Sequence, residues 1–102
     1  MKNRIYIAGP MTGLPDFNYP AFNLTAAYLR GKGHEVVNPA ELFEGQTGHP
    51  WEHYMRAGLS AMLTCDTIAL LPDWSKSRGA WLEQNLAAAL KFRQIIVPKD
   101  LV

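Results

Sequence analysis

The chain has 102 residues, 48% of them hydrophobic, with ten Lys and Arg against nine Asp and Glu, which is the size and balance of one ordinary globular domain with no room for a second catalytic one. Its basic residues are scattered, which argues against nucleic-acid polymers and anionic membranes as partners, whereas a single small phosphate needs only a helix terminus and an Arg. The lone cysteine, Cys65, excludes an intrachain disulfide, and the first apolar run is too short for a signal-peptide core or a membrane span, so the sequence predicts a cytoplasmic protein.

The run Ile5 to Ala8 predicts a first strand, closed by Pro10. Tyr6 lies on it among apolar neighbours, so its hydroxyl needs a partner, and a carboxylate over the sheet edge would supply one. The following turn, Gly9-Pro10-Met11-Thr12-Gly13-Leu14-Pro15-Asp16, allows backbone to approach a ligand through Gly9 and Gly13. Asp16 then either meets sugar hydroxyls or caps the next helix. This is neither G-x-G-x-x-G nor a Walker loop, so dinucleotide and P-loop ATP chemistry lose their usual support.

A first helix follows, with Phe22, Ala26 and Leu29 at i, i+4 and i+7, Pro20 in its opening turn, and Gly31 and Gly33 closing it. Glu35 to Val37 predicts the second strand, closed by Pro39. Residues 38–49 show no periodicity and predict a loop, of a length that is often functional. A second helix opens near Pro50-Trp51-Glu52 and carries Tyr54, Leu59, Met62 and Leu63. His49 and His53 flank Glu52, yet Pro50 breaks the helix that would align them and no third ligand is evident, so no metal is expected. Cys65 reads as a small core residue and Asp66 as a tie at the start of the third strand, Thr67 to Leu71, which is closed by Pro72.

The third helix begins at Ser77 as N-cap, is expected to stack Leu82, Leu86 and Ala89, and ends with Lys91 and Arg93 at the negative end of its dipole. Gln94 to Val97 is the fourth strand, closed by Pro98. Trp51, Trp74 and Trp81 serve either as a stacking platform for a base or in core and subunit packing.

Strands alternating with helices predict a three-layer Rossmann/flavodoxin-like α/β fold, a parallel sheet of about four strands with helices on both faces, over the single domain 1–102. A chain this short buries only about two-thirds of its unfolded surface, which favours a homodimer or larger homo-oligomer. In such sheets ligands bind beyond the carboxyl ends of the strands. The segment Leu71 to Glu83 therefore draws the attention: Asp73 at the strand end, Ser77 where a helix N-terminus can hold phosphate, the small pair Gly79-Ala80, and Glu83 either over the crevice or as a surface acid favoured by the macrodipole.

The motifs Ile7-Ala8-Gly9-Pro10-Met11-Thr12, Cys65-Asp66, and Trp74 with Ser77-Arg78-Gly79-Ala80 and Glu83 resemble the nucleoside 2-deoxyribosyltransferase-like superfamily, in particular a small branch of phage and bacterial members. The resemblance covers nearly the whole chain. It implies cleavage of the N-glycosidic bond of a 2′-deoxynucleoside or its 5′-monophosphate, by hydrolysis or transfer, without a cofactor. Glu83 is then the nucleophile at C1′, Tyr6 orients it, and Ser77 binds the 5′-phosphate. A double displacement of this kind retains configuration, as in retaining glycosidases. The expected catalytic group is Glu83, Tyr6 and Asp73, with Gly9, Pro10, Met11, Asp16, Trp74, Ser77, Gly79 and Ala80 binding substrate.

One position departs from the pattern. Related sequences often carry an Asp in the second helix, eight residues before the position of Asp66, to bind the sugar or protonate the leaving group. Here it is Gly58, beside Ala57, and Asp73, Asp16 or a neighbouring subunit would have to substitute. Two other functions remain: a nucleotide-binding module without chemistry, and an N-glycosidase acting on a ribonucleotide or NAD.

Overall fold

A computed structural model describes residues 3–102. Four parallel strands, β1 (Arg4–Ala8), β2 (Glu35–Val37), β3 (Thr67–Leu70) and β4 (Arg93–Ile96), lie in the order β2-β1-β3-β4. Helices α1 (Tyr19–Gly31), α2 (Pro39–Leu42), α3 (Trp51–Met62) and α4 (Arg78–Ala89) connect them, with 3-10 turns at Pro15–Asn18, Trp74–Lys76 and Lys99–Leu101. This is the expected α/β architecture with helices on both faces of a parallel sheet.

The pleat decides which face each side chain joins, because successive residues of a strand point to opposite sides. Ile5 and Ile7 of β1 and Ala69 of β3 pack with Phe22, Ala26 and Leu29 of α1. Tyr6 and Ala8, with Ile68 and Leu70, pack on the other face against Met62 of α3 and Ala80 and Ala87 of α4. Parallel register sets Tyr6 opposite Val37 on one side and Ile68 on the other. Tyr6 is thus held in the centre of the sheet and aimed at the α3/α4 layer.

Several local expectations are revised. The segment 38–49 holds one helical turn, α2: Asn38 caps it, its side chain accepting the Ala40 N–H at 3.0 Å and donating to Asn23 at 2.9 Å. The buried stripe of α4 is Ala80, Glu83 and Ala87; Leu82 and Ala89 are exposed. That helix ends at Ala89, Lys91 reverses the chain at φ 62°, and Arg93 starts β4 instead of closing the helix. Asp66 does tie its junction, accepting the Arg4 N–H at 3.3 Å and the Thr67 hydroxyl at 2.6 Å. Gly9 is required by packing within the sheet, since a Cβ there would come 2.7 Å from the Leu71 side chain. Among the described residues no helix is long and apolar enough to cross a membrane.

Candidate active site

Glu83 occupies the second turn of α4, on the face that the helix buries. Ser77 fixes where that helix starts, its hydroxyl oxygen accepting the Ala80 N–H at 3.3 Å. From this start Glu83 points back at the sheet and meets Tyr6, whose hydroxyl donates to Glu83 Oε2 at 2.5 Å. Only 7% of Glu83 is exposed. The other oxygen, Oε1, has no hydrogen-bond partner among the described residues, which leaves it available to a ligand.

Burial dominates the electrostatics. It pushes the Glu83 carboxyl up to about 7, against the hydrogen bond from Tyr6, which favours the ionised form and pulls the other way. Burial, the charge of Glu83 and the shared hydrogen bond together lift the Tyr6 phenol well above its usual range. The pair therefore consists of a fixed donor and a carboxyl that exchanges its proton near neutrality.

Helix α3 closes over this pair with bare backbone. A Cβ on Gly58 would lie 2.8 Å from the Tyr6 hydroxyl oxygen and 3.2 Å from Glu83 Oε2. Gly79 plays a similar part between helices, where a Cβ would come 3.0 Å from Met55 Sδ.

A cavity of about 300 Å³ opens over the pair. Glu83, Tyr6, Gly9, Met11, Ser77, Gly79 and Ala80 all line it. Its remaining wall is largely aromatic, from Tyr19 and Phe22 of α1, Phe43 after α2, and Trp51 and Tyr54 of α3. Phe43 and Tyr54 meet edge to face with ring centroids 5.3 Å apart. The Arg78 guanidinium sits 4.0 Å over the Trp51 ring, a cation–π contact joining the starts of α3 and α4. The rim is the segment Gln46–His49, pinned where the His49 N–H donates to the Tyr54 hydroxyl at 3.3 Å.

Four residues expected near the substrate lie outside this cavity. Pro10 and Asp73 line a separate depression with Leu14 and Pro72; Asp73 adopts a left-handed conformation, φ 64°, and its carboxylate lies 3.4 Å from the Lys76 ammonium. Asp16 is exposed in the 3-10 turn, also left-handed at φ 52°. Trp74 packs against the core on the Tyr6 face of the sheet. For Asp73 and Asp16 the left-handed turn geometry, invisible in residue type, sets where the side chain goes. His49 and His53 stack with centroids 4.1 Å apart, and among the described residues no group of three or more His, Cys, Asp or Glu is gathered to hold a metal.

The aromatic wall was only partly foreseeable. Trp51 is one of three tryptophans suited to a stacking role, but Tyr19, Phe43 and Tyr54 carry no motif. The available signal is the density of Gly and aromatic residues in 43–54 after a strand exit.

A profile described as "Domain of unknown function (DUF4406)" matches residues 3–96. The chain belongs to that family. Among solved structures, the DUF4406 domain is similar to a 2-desoxiribosyltransferase from Leishmania mexicana, with 26% identity and a TM-score of 0.68. The alignment covers 94% of this chain and 63% of that one, so the domain spans less than two thirds of the length of that enzyme. The likeness is to the deoxyribosyltransferase-like superfamily as a whole, not to one branch of it. No curated protein matches the sequence significantly.

Proposed function

We propose that this domain cleaves the N-glycosidic bond of a 2′-deoxynucleoside or its 5′-monophosphate through a covalent deoxyribosyl-glutamate at Glu83. The observation that carries the reading is a buried carboxyl with one hydrogen-bonded oxygen and one open oxygen, set in the wall of an aromatic cavity at the carboxyl ends of β1 and β3. Such a cavity suits a flat base between rings and a sugar over the carboxylate. The likeness to a deoxyribosyl-transferring enzyme supports the same class of chemistry.

In this reading the ionised Glu83 attacks C1′ as the base departs, and its charge stabilises the oxocarbenium character of the transition state. A substrate without a 2′-hydroxyl forms that cation more readily. Tyr6 holds Oε2 so that Oε1 faces C1′, and because it keeps its proton it stays a donor throughout. Water or a second base then opens the glycosyl ester. Ser77 and the start of α4 are assigned to a 5′-phosphate, where unpaired N–H groups and the helix dipole favour an anion.

The test is chromatography of free base after incubation with the four 2′-deoxynucleoside 5′-monophosphates, with and without an acceptor base. Wild type should release base and Glu83→Ala should not. A new nucleotide formed only with acceptor would identify a transferase. Saturable nucleotide binding without base release would replace this reading by a binding module, and preference for the ribo form of the same nucleotide would replace its substrate.

A further inference from the structure

A base that departs from C1′ takes the bonding electron pair with it, and a neutral base then needs a proton on one of its nitrogens. The structure narrows the source of that proton. Among the described residues Glu83 is the only carboxyl lining the cavity, and as nucleophile it cannot serve the base on the opposite side of C1′. Helix α3 offers no second acid at Gly58, where even a Cβ would fall 2.8 Å from the Tyr6 oxygen. Asp16 and Asp73 lie outside the cavity, and the Tyr6 proton is held by Glu83. Phenols are in general far weaker acids than imidazolium, and burial weakens Tyr19 further.

Imidazole is the side-chain group that most often serves as a general acid, and the lining holds one, on His49. Resting on the glycosidic reading above, we propose that His49 is the general acid that protonates the leaving base. Its placement fits: it stands on the exposed rim, open to solvent protons, while Glu83 lies buried in the same cavity. The rim is held in place by the hydrogen bond to Tyr54 and by the stack on His53, whose ring nitrogen is 3.2 Å from Gln46 Oε1. In the first half-reaction the C1′–N bond breaks, Glu83 Oε1 bonds to C1′, and the imidazolium proton passes to the base. In the second, water adds to C1′, its proton returns to the neutral imidazole, and the ester C–O electron pair returns to Glu83.

The test compares leaving groups in single-turnover base release, which isolates the first half-reaction. The probes are the best natural substrate among the four 2′-deoxynucleoside 5′-monophosphates and N7-methyl-2′-deoxyguanosine 5′-monophosphate, whose cationic base departs neutral without a proton. His49→Gln, and His49→Asn as a second variant, should slow release from the natural nucleotide about 100-fold or more and leave release from the methylated one within a few-fold of wild type. Equal loss on both nucleotides, or no loss on the natural one, would overturn the role of His49 while the glycosidic reading stands. A wild type silent on every nucleotide would remove that reading and the role of His49 with it.

Discussion

A glutamic acid that is 7% exposed and keeps its proton to about pH 7 makes folding and function pull against each other at one residue. The unfolded chain releases that proton near 4.5, so between about pH 4.5 and 7 the native state binds more protons than the unfolded one. Stability from this group is therefore lost as pH rises through that window and is level above it, by about 3 kcal/mol in total. Glu83→Gln keeps the shape and removes the charge. In denaturant titrations the variant should gain stability over wild type at pH 8, by as much as about 3 kcal/mol, and show little gain at pH 4.5, while base release disappears. A difference independent of pH would mean that the carboxyl is not buried as described. Tyr6→Phe removes the one hydrogen bond that lowers the Glu83 value. The acidic limb of the kcat/KM profile, which reports the free enzyme, should then move to higher pH; a move to lower pH would contradict the pairing.

At the level of elements, the close approach of α3 to the Tyr6–Glu83 pair makes a prediction whose sign is diagnostic. In an ordinary helix Gly→Ala is stabilising by about 1 kcal/mol. At Gly58 the new methyl would meet the Tyr6 hydroxyl, and overpacking of this kind costs about 1 to 3 kcal/mol, so Gly58→Ala should melt lower than wild type and release base more slowly, with the exposed Ser60→Ala on the same helix as control. A rise in melting temperature would show that α3 does not rest on the pair. The strands and their partner helices were legible because four apolar runs, each ended by Pro, alternate with 3.6-residue patterns. The buried face of α4 was not, because counting apolar residues passes over an acid: Leu82 was placed inward, whereas Ala80, Glu83 and Ala87 form the stripe. Glu83 itself was legible through its motif, and its place between two alanines at helical spacing was the physical signal of burial. Helix α2 is too short for periodicity, although Asn38-Pro39 followed by Glu41 is a helix-start signal. Asp16 and Asp73 went elsewhere because short polar residues tolerate left-handed turns, and only the resulting chain direction decides what they face.

For the whole molecule, the small core leaves large apolar groups uncovered, among them Ile96 on edge strand β4, 67% exposed, Leu63 at the end of α3, 57%, and Trp81 on α4, 49%. We propose that copies of the chain associate to cover such surface. Sedimentation at micromolar concentration should give a species of at least twice 11.4 kDa, and a lone 11.4 kDa species would refute this. The bond between Tyr6 and Glu83 spans 77 positions of sequence, with α1, β2 and α3 in between. During synthesis, which proceeds from the N-terminus, Glu83 is an ordinary solvated acid until the chain through α4 has emerged and its layers have docked. A cut between the two residues divides the pair, so neither fragment alone carries the reactive group in its native setting, and return of base release on mixing would report that the fragments had reassembled.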